Sequence, residues 1–522
     1  MSNEGFFILL RNLASVIWHS TNSTLDIPTK TMSTYGKYRK WEIVPGALVW
    51  STFLLAVLAS FFAPTVAIVF IIVFDLYWFF RISYFVVYTL ASWKTYRKSL
   101  KRDWFKDLQG QKDWQRIHHL IFLPTYKESL EIIRDTLRSL AASNYPKEKM
   151  IIVLAGEERD HDHFQKNATA IKQEFGKTFK KIIVTEHPKN LPDEIPGKGS
   201  NLNYTGYQVK EVLEKDCPEI PAEDIIASSF DVDTTVHPAY FACLAYLYLT
   251  SPNPTHASYQ PVVLFSNNIW TSRAPVRIAA FGTIFWLFSE LARPERLWTF
   301  SSHSMPWKML LDVGFWQKDI VSEDSRIFLQ AFLKYHGDYR VVPMHLPVSM
   351  DTVVGATYFD SLKALYKQQR RWAWGVEHFP VMVEAFKADP LIPLNKKIKY
   401  LLNQIEGMYT WATAPMLIFI LGRLPLWVSG TEGSALVQGA PFTLEWIMRL
   451  AMAGVFVSAI LSLTLLPPRP KTVRPSVWIV MLLQWLLLPI TFTIFGAAPA
   501  IDAQTRMMLG KYLGFNVTKK SR

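Results

Sequence analysis

Apolar residues follow two different patterns along the chain. Over residues 93–395 they come in short runs divided by polar stretches, and outside that region the runs are long. Within the first region, residues 120–123, 151–154, 182–184 and 225–226 are continuous apolar runs. Runs of that length read as strands covered on both faces. Between the first two, Ile132, Ile133, Leu137 and Leu140 recur at three-to-four spacing, the period of an amphipathic helix. Strand–helix–strand alternation predicts an α/β domain with a parallel sheet. Ligands on such sheets gather at the carboxyl ends of the strands.

The long runs have another meaning. Residues 42–61 and 65–91 each match the roughly 20 residues that a membrane crossing needs, with Ala63-Pro64 as a tight hairpin between them. Residues 398–422, 441–466 and 476–501 are three more such segments. Residues 276–290 are too short to span and predict a buried or interfacial helix, and 361–378 a basic amphipathic one on the membrane surface. Residues 5–18, apolar around Arg11, predict an amphipathic helix lying on the membrane; no small-residue cleavage site follows, so a signal peptide is rejected. Lys30, Lys37, Arg39 and Lys40 precede the hairpin, and Lys94, Arg97, Lys98, Lys101 and Arg102 follow it. The positive-inside rule then places both flanks in the cytoplasm. Asp75, Arg81 and Glu406 lie within apolar segments, where an ionisable group either pairs, serves function or reaches an interface.

The expected division is therefore a terminal segment 1–40, a membrane hairpin 41–92, a cytoplasmic domain 93–395, a membrane region 396–502 and a basic tail 503–522. Three crossings after a cytoplasmic domain would leave that tail outside, against its charge. A break at Pro489, making the last segment re-entrant or interfacial, would reconcile the two.

Composition sharpens this. Half the residues are apolar, with 19 Trp and 34 Phe, which excludes a disordered chain and an ordinary soluble one. The net charge of +13 suits nucleic acid, anionic lipid or phosphorylated substrates. The apolar segments decide for a multi-pass protein of the cell membrane and against nucleic acid. Cys217 and Cys243 show neither metal spacing nor a disulfide framework and read as small buried residues in a reducing compartment.

Polar motifs sit where the sheet would present them. Asp231-Val232-Asp233 follows the strand at 225–226, which would deliver both carboxylates together with Val232 on the opposite face. Such oxygens suit Mg²⁺ or Mn²⁺ shared with substrate phosphates, although Asp is also common in plain turns. Pro196 to Asn203 reads by itself as a solvated loop, though its backbone N–H groups and Lys198 can also meet phosphate. Ser322-Glu323-Asp324 precedes an apolar helical run, where acids suit the helix dipole or Asp324 serves as a base. Gln368-Gln-Arg-Arg371-Trp372 offers a guanidinium for diphosphate and an indole for a sugar or the interface.

Taken in order, P-T-Y-x-E at 124–128, G-K-G-S-N-x-N at 197–203, D-x-D at 231–233, S-E-D at 322–324 and Q-x-x-R-W at 368–372 resemble the membrane-integrated family 2 glycosyltransferases. That group includes the cellulose, mannan and hyaluronan synthases. The resemblance implies a GT-A fold, a mixed and mostly parallel sheet with flanking helices, facing the cytoplasm. It implies nucleotide-sugar contacts at Tyr126, Glu128, Glu157, Lys198 and Asp231, a metal at Asp233, and Asp324 as the base. Gln368, Arg371 and Trp372 would hold diphosphate and acceptor, and Phe515, Val517, Thr518 and Lys519 match a gating element. The family's usual acid pair near 157 stands here as Ala-Gly-Glu-Glu-Arg-Asp, and residues 302–308 replace its Arg-Arg. The implied reaction is inverting transfer of a hexose, from a donor of the UDP-glucose or GDP-mannose type, to a growing polysaccharide exported through the membrane. A lipid acceptor taking one sugar is the alternative. The stretch Asp231 to Thr235 also fits the D-x-D-x-T motif of phosphatases with an aspartate nucleophile, a reading that leaves the S-E-D and Q-x-x-R-W motifs unused.

Overall fold

The computed structural model describes residues 34–429 and 435–514. Its centre is an eight-stranded sheet in the order β3-β2-β1-β4-β7-β6-β8-β5. The strands are β1 (His118–Pro124), β2 (Met150–Glu157), β3 (Lys181–His187), β4 (Ile225–Ser229), β5 (Thr235–Val236), β6 (Ala257–Leu264), β7 (His303–Pro306) and β8 (Arg340–Ser349). The first four pair in parallel, β6 pairs β8 in parallel, and β7 runs antiparallel between β4 and β6. Every residue of β2 and β4 is buried, as the uninterrupted apolar runs predict for central strands, while the edge strand β3 alternates. Helices flank the sheet, among them Leu130–Ala141, whose Ile132, Ile133, Leu137 and Leu140 all face the core. This mixed, mostly parallel sheet with flanking helices is the GT-A arrangement.

Three elements shift against expectation. The strand before the D-x-D motif stops at Ser229, and Asp231–Thr234 is a turn closed by the Thr234 N–H on the Asp231 carbonyl at 2.9 Å. Strand alternation therefore does not orient the two carboxylates. The stretch expected as a phosphate loop is helical from Lys198 onward, in the helix Lys198–Asp216. The basic amphipathic helix runs Tyr358–Ala373, followed by a 3₁₀ turn at Trp374–Glu377 and a separate helix His378–Ala388.

Among the described residues, five helices are long and apolar enough to cross a membrane: Arg39–Phe62, Pro64–Ser99, Ala274–Leu291, Gln438–Thr464 and Val477–Met508. Leu394–Phe419 joins Leu421–Val428 through a 44° bend to make a further candidate. The 18-residue Ala274–Leu291 is 72% buried within the protein, so protein rather than lipid covers it. At 1.5 Å per residue, Pro64–Ser99 is about 54 Å long and outruns a bilayer core of about 30 Å. Its last turns reach the sheet, where Ser92 meets His345 of β8 at 3.1 Å. Arg81 pairs with Glu406, and Arg296 lies 3.6 Å from the same carboxylate, which accounts for two of the ionisable residues in apolar segments.

Candidate functional site

The ends of β1 and β2 form one side of the site. After β1 the chain turns through Lys127 at φ 68°. Glu128 folds back to accept the Thr125 hydroxyl at 2.9 Å and the Tyr126 N–H at 2.5 Å, so its carboxylate braces this turn. The Tyr126 ring lies 4.8 Å from the Arg159 guanidinium. Glu157, the last residue of β2, is buried and accepts from Arg159 at 3.0 Å. It faces His187 at 3.3 Å, and His187 faces Glu194 at 3.2 Å. Burial opposes the imidazolium of His187, but Glu157 and Glu194 outweigh it and raise its pKa.

Lys198 is the centre of the site. It begins its helix after Gly197, whose N–H donates to the Ser200 hydroxyl at 3.0 Å. One turn on, Asn201 donates to the carbonyls of Ala155 and Gly156 and ties the helix to the end of β2. Asn203 anchors its other flank on the Trp316 carbonyl at 2.7 Å. So held, the Lys198 ammonium donates to Asp231 at 2.8 Å and to both oxygens of Asp324 at 2.9 and 3.1 Å, with Glu323 3.9 Å away. Only 8% of the lysine side chain is exposed. Burial opposes its charge, yet the three carboxylates prevail and hold its pKa above the ordinary lysine value.

The D-x-D turn is fixed from several directions. The second oxygen of Asp231 accepts the Ser301 hydroxyl at 2.9 Å. The Thr136 hydroxyl donates to the Val232 carbonyl at 2.6 Å, and Asn267 to the Asp233 carbonyl at 3.0 Å. Asp233 is fully buried, and its Oδ2 accepts the N–H of Asp351, the residue two beyond the end of β8, at 2.9 Å. Asp231 and Asp233 thus face different neighbours, although they belong to one turn.

Ser322 precedes the helix Glu323–Lys334, whose first turn carries Glu323 and Asp324. The Asp324 carbonyl accepts the Thr299 hydroxyl at 2.6 Å. Burial, then the charge of Asp324, pushes Glu323 up to about 8 against the pull of Lys198 and Arg371. Arg371 therefore lies within electrostatic reach of the S-E-D helix. His303 on β7 is buried beside the same charges; burial pushes it down to about 4 and keeps its imidazole neutral. Trp372 packs on Phe265 with ring centres 5.8 Å apart, and Gln368 and Trp372 line a small cavity with Phe265, Thr352 and Val353. The motifs separated in sequence accordingly converge through Lys198, through Arg371 and through the strand end at Asp351–Val353. Arg370 turns away and pairs with Asp502 at 2.8 Å.

Several residues in this constellation were not singled out from the sequence. Ser301 and Ser302 grip the D-x-D turn, with the Ser302 hydroxyl 2.8 Å from that of Thr234. Asp351 follows an apolar strand as Asp231 does, a shared signal that could have found it. Glu377 lies five residues past Trp372 with no motif around it, and only the fold joins it to Ser322. Phe515, Val517, Thr518 and Lys519 lie outside the described residues.

No curated protein matches the chain. Among solved structures, similarity extends to the mannosyltransferase PcManGT from Pyrobaculum calidifontis in complex with GDP-Man and Mn²⁺. That match has 15% identity over 73% of this chain and 99% of that one, with a TM-score of 0.41. TarS 1–349 of S. aureus in complex with UDP-GlcNAc is similar at 14% identity over 66% of this chain and 90% of that one, with a TM-score of 0.30. The model of the family described as Glycosyl transferase family group 2 matches residues 229–497. That match covers more than half of the chain and takes in the D-x-D turn, the S-E-D helix and the Q-x-x-R-W helix, and on it this chain belongs to the family 2 glycosyltransferases.

Proposed function

We propose that this family 2 enzyme transfers a hexose, with inversion, from a nucleoside-diphosphate sugar to a growing polysaccharide at the cell membrane, and that the product is exported as it grows. The observation that carries the reading is the Lys198 ammonium bonded at once to Asp231 and Asp324. It links the turn that would face the donor diphosphate to the carboxylate that would face the acceptor.

Among the described residues, no three or more His, Cys, Asp or Glu gather into a protein-only metal cage. Asp233, with its Oδ2 held by the Asp351 amide, offers a hard carboxylate that would suit Mg²⁺ or Mn²⁺. Bound there, the ion would supply positive charge against the leaving diphosphate. Lys198 and Arg371 add theirs where the charge develops. Asp324 takes the proton of the acceptor hydroxyl as its oxygen bonds to the anomeric carbon. The bond from that carbon to the diphosphate breaks from the opposite face, and its electron pair leaves on the phosphate oxygen. Tyr126 and Glu128 would shape the nucleoside end, with Glu157 acting through Arg159. Gln368 and Trp372 would position the acceptor.

The test is a donor screen on the membrane-reconstituted protein with UDP-glucose and GDP-mannose, with Mg²⁺ or Mn²⁺, followed by mass analysis of the product. A ladder of hexose additions that disappears with EDTA and in Asp324→Asn is the expected result. Consumption of neither donor would remove the hexosyltransferase assignment, and a lipid carrying one sugar would remove the polymer.

A further inference from the structure

Glu377 is buried at 3% exposure just past the helix that carries Arg371 and Trp372. Oε1 accepts the N–H groups of Val321 at 3.3 Å and Ser322 at 2.9 Å, and the Ser322 hydroxyl as well. These groups enter the helix whose first turn holds Glu323 and Asp324. Oε2 accepts the Tyr35 hydroxyl at 2.5 Å and the Trp374 indole N–H at 3.1 Å. The next residue repeats the link. His378 meets the Ser325 hydroxyl at 2.7 Å and the Arg326 guanidinium at 3.1 Å, and Arg326 also donates to the Glu377 carbonyl at 3.2 Å. The segment before the first long helix closes the arrangement from the other side. There Thr34 donates to Asp319 at 2.7 Å, and Tyr35 stacks on Tyr512 at 4.7 Å.

A single buried carboxylate thus holds the start of the S-E-D helix, the end of the Q-x-x-R-W helix and the N-terminal segment. A helix start leaves backbone N–H groups without intrahelical partners. Here the donors just before it are satisfied by a side chain from a distant element, which fixes the helix in translation and rotation. Asp324 is the second residue of that helix, so its position beside Lys198 is set by this anchor. We infer that Glu377 is a positioning residue for the base, holding the Asp324 helix in register with the helix that presents Arg371 and Trp372. This rests on the transferase reading above. Misplacing a reacting group by about 1 Å can cost on the order of 100-fold in rate. The anchor touches neither the ends of β1 and β2 nor the D-x-D turn, and Arg371 acts on charge that develops as the diphosphate leaves, so loss of the anchor should show in kcat rather than in ground-state donor binding.

The experiment compares wild type, Glu377→Ala, Glu377→Gln and Tyr35→Phe in the full-length reconstituted protein. Hydrogen exchange is followed over residues 317–326, nucleotide affinity with UDP and GDP plus Mg²⁺, and turnover with whichever donor the screen identifies. In Glu377→Ala, exchange quickens at Val321 and Ser322, kcat falls roughly 10- to 100-fold, and donor KM and nucleotide affinity hold. Glu377→Gln keeps a carbonyl oxygen for the two amides and recovers a substantial part of kcat. Tyr35→Phe removes one donor and has a smaller effect. Unchanged exchange and kcat in Glu377→Ala would overturn the inference, as would a loss expressed in KM alone. Wild type that consumes no donor would instead overturn the transferase reading, while the exchange result would still report on the anchor by itself.

Discussion

Glu323 shows how the charges at the centre of the site constrain one another. Asp231, Glu323 and Asp324 all face Lys198, and Glu323 is the most deeply buried of the three. Burial and the neighbouring Asp324 raise its folded pKa to about 8, from an ordinary value of 4.5. Between those values the native state keeps a proton that the unfolded chain has released, so stability falls as pH rises through this window. A shift of this size corresponds to a few kcal/mol in order of magnitude. Glu323→Gln removes the titration while keeping the shape. Its thermal midpoint should exceed that of wild type at pH 8.5, and the gap should close as pH approaches 5. Equal midpoints across that range, measured in the same detergent, would mean that Glu323 is ionised throughout in the folded protein.

Between elements, the decisive approach is that of the Lys198 helix to the S-E-D helix. It occurs at Gly199, where an added Cβ would stand 3.0 Å from the Gln317 carbonyl oxygen and 3.1 Å from the Glu323 Cβ. Backbone on one side and a helix on the other leave little room to yield. Gly199→Ala should therefore separate the helices by a few tenths of an ångström, at about 1–3 kcal/mol of stability. It should also lengthen the Lys198–Asp324 contact and lower kcat, with loss of turnover outrunning loss of fold; full activity in a stable Gly199→Ala protein would show that the contact tolerates separation. Much of the sheet was legible beforehand: β1 to β4 are apolar runs, and their carboxyl ends carry the polar motifs. The strands β6 and β8 were not, because Pro261, Pro343 and Pro347 interrupt them. Proline removes a ladder donor and argues against a strand; here the register between β6 and β8 shifts at Pro261/Val262 to accommodate it. β7 has only four residues, His303–Pro306, with two polar residues at its start, too short for any periodicity to show. The site motifs were readable as an ordered set, whereas the serines and Glu377 that hold them act across long sequence separations and carry no local pattern, and Asp351 has only its place after a strand to mark it.

At the scale of the whole molecule, the helix contacts determine which ends of the apolar helices share a side. Arg39–Phe62 starts at the catalytic region, where Trp41 donates to Glu384 at 2.5 Å. Pro64–Ser99 returns there, ending near β8. Leu394–Phe419 leaves again, since Lys397 donates to the Asp389 carbonyl at 2.6 Å near its start, while Leu417 packs with Ile71 and Phe74 farther along. Ala435–Thr464 comes back, with Ala440 against Ile68 and Thr464 accepting the Trp93 indole at 3.1 Å. The following segment begins on the catalytic side, where Trp270 donates to the Pro467 carbonyl at 3.2 Å and packs on Trp478 at 5.1 Å. It also ends there: Asp502 pairs with Arg370 at 2.8 Å, Arg39 donates to the Met507 carbonyl at 2.7 Å, and Tyr512 to Glu42 at 2.7 Å. Its path between these ends is irregular, with 3₁₀ turns at Gln484–Leu487 and a π-turn at Thr493–Ala497. Length and hydropathy alone would count Val477–Met508 as a crossing, but because its two ends touch the same side it is predicted to lie along or within one leaflet. Among the described residues the contacts thus predict four crossings, with Lys511 on the catalytic side, which also agrees with its basic surroundings under the positive-inside rule. The two native cysteines, Cys217 and Cys243, are buried, so one added cysteine can report its own side. In intact cells a membrane-impermeant maleimide should label Phe62→Cys, and should reach Lys471→Cys and Lys511→Cys only once the membrane is opened. Labelling of Lys511→Cys from outside would make Val477–Met508 a full crossing and place the tail opposite the catalytic sheet.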